Sequence, residues 1–469
     1  MKRTRIILSL LVVISVIVGV SLGIYAQPNI SREKIPSYIH DDVRILIERL
    51  YSSNPVERGR AAYTLGEMGE KADPSTPYLM EMLGDSSAIG QTLENYSVGL
   101  IETTPGVSTS PGEEAAKAFV KIKGGSALTP LMGALQDRDR RVRYSAVCGL
   151  GKMGELAVEP LVGALMDPDI RVREGAAWVL GETGDARAVK PLLAALKDED
   201  SGVRKYAARG LGEIENLRAI GPLIGVLKDS NIRVRWSAQW ALGKMGEPAV
   251  EPLIAALRDS DNRTREGAAQ ALGEIKDSGA VEPLVAVLRD QNAAVKEYGA
   301  WALGEISDPR AVGPLIGALK DLNVRVRWSA QWALGKMGEP AVGSLIAALR
   351  DSDNRAREGA AWALGKIKDA RSVEPLIGAL ADEDLLVREN SAWSLRQIMW
   401  TMNDTSLAKM RDPRIIEPLI RALKDEDMEV RKYTEETLET ITRRDLGLDP
   451  LKWQEWWEQH KGNFFRAKK

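Results

Sequence analysis

The seventeen-residue stretch VRWSAQWALGKMGEPAV stands twice in this chain, at Val234–Val250 and at Val326–Val342. Each copy sets two tryptophans four residues apart, and a looser version, VRYSAVCGLGKMGELAV, starts at Val142. Residues at that spacing share one face of a helix. Indoles offer flat, electron-rich rings that attract cations and also pack on peptide segments and sugar rings. Carboxylates accompany them: Glu297 precedes Trp301, Glu358 precedes Trp362 and Glu389 precedes Trp393, each by four residues. The chemistry of such a set is recognition.

Groups for bond-making are scarce. The chain has one cysteine, Cys148, and two histidines, His40 and His460, near its opposite ends. A single cysteine excludes an intramolecular disulfide framework and a Cys-based zinc site, and Cys148 has no histidine in its own part of the sequence. No metal and no cofactor is expected. With 64 Lys+Arg against 66 Asp+Glu, the balance carries no basic excess for nucleic acid.

Positioning these indoles falls to a repeat. The motif EPLI recurs with its proline at 130, 160, 191, 222, 252, 283, 314, 375 and 418, Ser344 taking the slot once, at spacings of 30 or 31 residues until the last step. A period in this range builds a solenoid. Each unit reads as a short apolar helix A, a tight KDxD turn and a second helix B whose apolar residues recur at helical spacing.

The pattern resembles HEAT repeats, and most closely the subgroup named after phycobilisome lyases. The resemblance covers residues 41–446 in about twelve units and implies an all-α fold, an α-solenoid wound into a superhelix with the B helices lining its concave side. It also implies a ladder of charged residues linking neighbouring repeats. The matching positions are an aspartate followed six residues later by an arginine, as in Asp229/Arg235, Asp259/Arg265, Asp321/Arg327 and Asp351/Arg357. Enzymes within this resemblance offer a second reading, a phycobilin-lyase-like activity. Deoxyhypusine hydroxylases, also HEAT-like, hold two irons with paired His-Glu motifs, and no HE dipeptide exists here.

With helix B numbered from its arginine as zero and turned 100° per residue, the apolar stripe is Val at −1, Ala at +3 and +4, Leu at +7 and Ile or Met at +10. Position +5 falls opposite. It is tryptophan in six of ten units, Trp178, Trp240, Trp301, Trp332, Trp362 and Trp393. Trp236, Trp328, Glu297, Glu358 and Glu389 share that face at +1. The expectation is a Trp- and Glu-lined concave groove for an extended ligand: a protein or peptide first, a glycan or cationic ligand as alternatives. Six fully exposed indoles would offer about 1,200 Å², more than the roughly 300–600 Å² of a usual largest apolar patch. A partner must therefore cover them, or they must bury one another across the repeats.

The ends and interruptions complete the domain plan. MKRTR precedes the charge-free segment Ile6–Ile24, long enough at about 20 residues to span a bilayer. The expectation is a signal anchor or signal peptide over 1–26 and a linker over 27–40. That would give a single-pass N-terminal membrane helix with the repeats outside the cytoplasm, or a secreted chain if the signal is cleaved. Insertions in the repeat are expected at about 84–112 and 399–411. Residues 447–469, with Trp453, Trp456 and Trp457 on one helical face, are expected to cap the array.

Overall fold

The computed structural model describes residues 35–87 and 110–466. Their regular structure is helical throughout, and they fall into two compact units, one ending at Ile214 and one beginning at Glu215. The first unit holds five A–B helix pairs. Its B helices are Pro55–Met68, Pro111–Lys123, Arg140–Met153, Ile170–Thr183 and Ser201–Ile214. The second unit holds seven pairs, with B helices Ile232–Met245, Asn262–Ile275, Ala293–Ile306, Val324–Met337, Asn354–Ile367, Leu385–Thr401 and Met428–Thr442, and ends on the helix Pro450–Arg466.

Local chemistry sets the boundaries. Most B helices start on an Asp or Asn whose carboxylate or amide oxygen accepts the N–H two residues on: Asp169 from Arg171, Asn231 from Arg233, Asp353 from Arg355. This satisfies a donor that has no partner inside the helix. They stop where one residue takes a positive φ, as Gly246 and Gly338 do after each copy of the duplicated stretch. The A helices are mostly seven residues long and carry their proline at the third position, for example Pro191 in Val189–Ala195. There the missing N–H costs nothing, because the first turn has no acceptor for it.

Within each unit the core lies between the A helices and successive B helices. The +7 leucines from Leu150 to Leu438 are fully buried, as are Val234, Val295, Val326 and Val387 at −1. Removing such a side chain from water contributes about 1.5–3 kcal/mol. Position +6 joins the stripe, with Ala241, Ala271, Ala302, Ala333 and Ala363 without accessible surface. These alanines let neighbouring B helices approach closely. A Cβ on Gly304 would stand 2.6 Å from the Cβ of Ala333.

The array closes on Pro450–Arg466. Trp453 and Trp457 are buried, and their indole N–H groups donate to the Gly447 carbonyl (2.7 Å) and to Glu417 (3.3 Å). Residues 399–411 contain the last turn of the helix Leu385–Thr401 and a short helix, Asp404–Lys409. Most of the expected 84–112 insertion lies outside the described residues.

One expectation is corrected. The segment Ile6–Ile24 lies outside the described residues, and no helix among those described is long and apolar enough to cross a membrane. The longest, Leu385–Thr401 and Pro450–Arg466, have 17 residues each and carry charges along their length, short of the roughly 20 apolar residues a span needs. The N-terminal membrane helix in the expected fold is thus not upheld. The extracytoplasmic or secreted placement, which rested on it, falls too.

Candidate binding site on the outer face of the B helices

The charged ladder is built differently from its sequence spacing. An arginine at position zero reaches its own repeat's aspartate only through that residue's backbone: Nη1 of Arg235 donates to the Asp229 carbonyl at 2.8 Å, Arg265 to Asp259 at 2.9 Å, Arg327 to Asp321 at 3.0 Å and Arg357 to Asp351 at 3.0 Å. In Arg173, Arg265, Arg357 and Arg388 the remaining donors cross to the carboxylate of the next repeat. Arg265 grips Asp290 at 2.8 and 3.0 Å, Arg357 grips Asp382 at 2.8 Å through both Nε and Nη2, and Lys296 pairs with Asp321. At Asp351 the cation is Lys320, 2.6 Å away. Burial opposes the charge on Asp290, but Arg265 and the Asn292 N–H outweigh it and hold the carboxyl below its ordinary value. These groups fix repeat to repeat and face the turns.

A further rung carried no sequence signal. Arg58 is 2% exposed and binds Asp85 at 2.5 Å together with the carbonyls of Ser52 and Ser53. Six residues before it stands Ser52, so the Asp-to-Arg spacing never marked it.

The +5 indoles neither stand free nor vanish into the core. In the second unit each of four leans its ring edge over the +8 glycine of the preceding repeat. A Cβ on Gly273 would lie 2.6 Å from Cζ3 of Trp301. The same measure is 2.9 Å from Gly304 to Trp332, 3.7 Å from Gly335 to Trp362 and 2.7 Å from Gly365 to Trp393. Glycine at +8 leaves the ledge on which a flat ring can lie. Mutual burial therefore accounts for part of the indole surface, and Trp240, Trp301, Trp362 and Trp393 are half-buried.

The structure gathers some of the expected residues and separates others. Trp362 and Trp393 stack at 6.3 Å with planes 9° apart, and the Lys366 ammonium sits over both rings at 5.1 and 5.4 Å. Lys244 lies over Trp240 and Lys336 over Trp332, at 5.2 and 4.9 Å. Trp178 belongs to the first unit, in a column with Tyr144 and Tyr206, the latter ring parallel to within 3° at 5.2 Å. Cys148, also in that unit, has its thiol pushed up to about 12 by burial, which leaves it protonated and a poor nucleophile.

Trp301, Trp328, Trp332 and Glu297 come together. With Val324, Arg325 and Ser329 they line an open recess of about 600 Å³ on the second unit. Trp328 is 67% exposed and Trp332 36%. Glu297 holds the Arg325 Nε at 3.0 Å. Val324 and Arg325 were missed in the sequence reading because they sit in the first turn of the helix, ahead of position −1 where the apolar stripe was counted from. Trp236, the counterpart of Trp328, is 56% exposed. Glu358 and Glu389 are half-buried, and burial raises both carboxyls above their ordinary value.

No curated protein matches the chain. Among solved structures, Kap121p covers 92% of this chain at 13% identity with a TM-score of 0.52. Yeast importin-beta (Kap95p) covers 90% at 17% identity with a TM-score of 0.46. Human deoxyhypusine hydroxylase covers 52% at 24% identity, with a TM-score of 0.23. The chain spans 51% of the length of Kap121p and 64% of that of Kap95p, and the likeness to Kap121p is one of fold. The model of HEAT repeats matches residues 128–205, 158–240, 189–273, 222–292, 281–344 and 342–404, a continuous run over more than half of the chain, and a PBS lyase HEAT-like repeat matches 405–425. By these matches, and by the paired helices and cross-repeat ladder that underlie them, the chain belongs to the HEAT-repeat family.

Proposed function

We propose that this protein is a binding scaffold that takes an extended protein or peptide segment across the outer face of its B helices. The observation that carries the reading is the recess of Trp301, Trp328 and Trp332 with Glu297. Two of its indoles keep a third or more of their surface in water. Exposed aromatic rings around a cleft are where binding energy concentrates in protein interfaces. The cross-repeat ladder supports the reading by tying neighbouring repeats together, since a preorganised surface loses less entropy on binding.

The test is a peptide-display selection on the full chain, with the enriched peptides measured against Trp328→Ala/Trp332→Ala. The reading expects a loss of about 2 kcal/mol or more, the range of an aromatic hot spot. Enriched peptides that bind the double variant as well as the parent would sink it.

A further inference from the structure

Resting on the peptide-binding reading above, we infer that the second unit recognises a basic segment in the polyproline-II conformation. Its Lys or Arg side chains recur at every third residue, around one apolar residue seated in the Trp301–Trp328–Trp332 recess. Two observations and the general spacing of packed helices carry this.

The first is the order of residues along the face. At position +1, successive B helices present Glu266, Glu297, Trp328, Glu358 and Glu389. Two carboxylates stand on either side of one exposed indole, one group per helix.

The second is charge. Among the described residues Glu266, Glu358 and Glu389 form no ion pair. Glu297 is paired to Arg325, a side chain 68% in solvent. The nearby Arg355 is already engaged by Asp353 at 2.7 Å. Burial leads in raising the carboxyls of Glu266, Glu358 and Glu389; Arg235, Arg325 and Arg263 partly offset it at Glu266 and Arg327 at Glu358, while like charges add to it, Glu297 at Glu266, Asp384 and Glu389 at Glu358, Asp427 and Glu429 at Glu389. An arriving cation relieves that penalty. The indoles next to this row already draw cations, as Lys336 over Trp332 and Lys366 over Trp362 show.

The last support is spacing. Packed helices stand about 8–10 Å apart. A polyproline-II strand climbs about 3.1 Å per residue with three residues per turn, so every third side chain points the same way about 9 Å further on. A β-strand repeats its face at about 6.6 Å and falls out of step. An α-helix, with turns about 5.4 Å apart, meets the helices only on alternate turns. Polyproline-II alone returns a side chain to the same face at each B helix. The ligand pattern is therefore basic, basic, apolar, basic, basic, each three residues from the next.

The experiment uses the full chain and two labelled thirteen-residue peptides of identical composition. One carries arginines at positions one, four, ten and thirteen, leucine at seven and Ala-Pro between; the other has the arginines moved to break the three-residue spacing. Fluorescence polarisation should show the registered peptide binding about tenfold or more tightly than its permuted twin. Glu358→Gln/Glu389→Gln, with unchanged or higher melting temperature, should weaken it by about tenfold and flatten its salt dependence. Equal affinity for the two peptides, or indifference to the glutamine variant, overturns the proposal. If neither peptide binds while display-selected peptides still require Trp328, the basic register is wrong and the scaffold reading stands. If the registered peptide binds Trp328→Ala/Trp332→Ala undiminished, it sits elsewhere and the proposal is overturned.

Discussion

In the first copy of the duplicated stretch, Trp236 stands over the helix Ile232–Met245 and Lys244 covers the Trp240 ring at 5.2 Å. In the second, Lys336 covers Trp332 at 4.9 Å in the same way, yet Trp328 and Trp332 become walls of a recess. The seventeen residues are identical, and the two helices share their length, Asn N-cap and terminal positive-φ glycine, differing only in Ile232 against Val324. The neighbours differ. The repeat after the first copy offers Gln270 at +5, where the repeat after the second offers Trp362. Glu297 and Trp301, on the helix before the second copy, supply the recess with its remaining indole and its acid. A repeat thus carries its own backbone and cation–π contact, while a binding site is a property of two repeats together.

The largest effect should be the same at both places. Arg265 and Arg357 are the ladder arginines of the repeats that follow the two copies, each gripping the next aspartate with two hydrogen bonds. Replacing either by Ala leaves a mostly buried carboxylate unpaired and should cost about 3–5 kcal/mol. Denaturant melts giving widely unequal losses would show that the two regions do not share one scaffold.

Binding should separate them. Trp328→Ala should weaken a selected peptide by about 2 kcal/mol or more, and Trp236→Ala by less than about 0.5 kcal/mol, although their exposures are alike. Neither should alter stability by more than about 0.5 kcal/mol. Equal losses of binding would mean that exposure, not the recess, decides.

Packing gives a smaller contrast. Gly304→Ala drives a methyl into Ala333 and the Trp332 edge, both under 3 Å away, and should cost about 1–3 kcal/mol. Gly243→Ala and Gly335→Ala, in the two copies, first meet the side chains of Glu274 and Lys366 at 3.1 Å. Those side chains can shift, so both variants should stay within about 1 kcal/mol of the parent.

The smallest effect is a pH dependence shared by Glu266 and Glu358. Burial raises both carboxyls on folding. Each therefore favours the folded state most when protonated, below the unfolded carboxylate range, and loses that contribution as pH rises through its raised value. Glu266→Gln and Glu358→Gln should each melt slightly higher than the parent at neutral pH, with the gap closing in acid. A variant that melts lower at neutral pH would assign that carboxylate a native ion pair.

Much of this was legible in the sequence because the repeat is written in it. The +7 leucines, the −1 valines and the turn aspartates recur at 30 or 31 residues, and a helical wheel places them correctly. The outward direction of the +5 Cα–Cβ bond was legible too. Where the ring then lies was not, since an indole is long enough to bend back over the +8 glycine of the repeat before it. The ladder shows the same limit. The spacing of six pairs Asp229 with Arg235, but the turn brings the arginine to its carbonyl, and arginine carboxylate bonds run to the next repeat instead. The charge-free segment Ile6–Ile24 read as a membrane anchor on hydropathy alone, and no described helix answers to it.

By itself, then, the sequence determined the period, the helix pairs with their caps and core stripe, and the outward face that bears the tryptophans. Each depends on residues within one repeat, where backbone geometry fixes which side chains share a face. Tertiary structure alone decided which aspartate each arginine holds, how far each indole is buried, and that Trp328 shares a recess with Trp301 and Glu297. Those outcomes depend on the distance and tilt between successive helices, set by small residues such as Gly304 and Ala333 meeting across the interface, and side chains from different repeats share a site only where that packing brings them within reach.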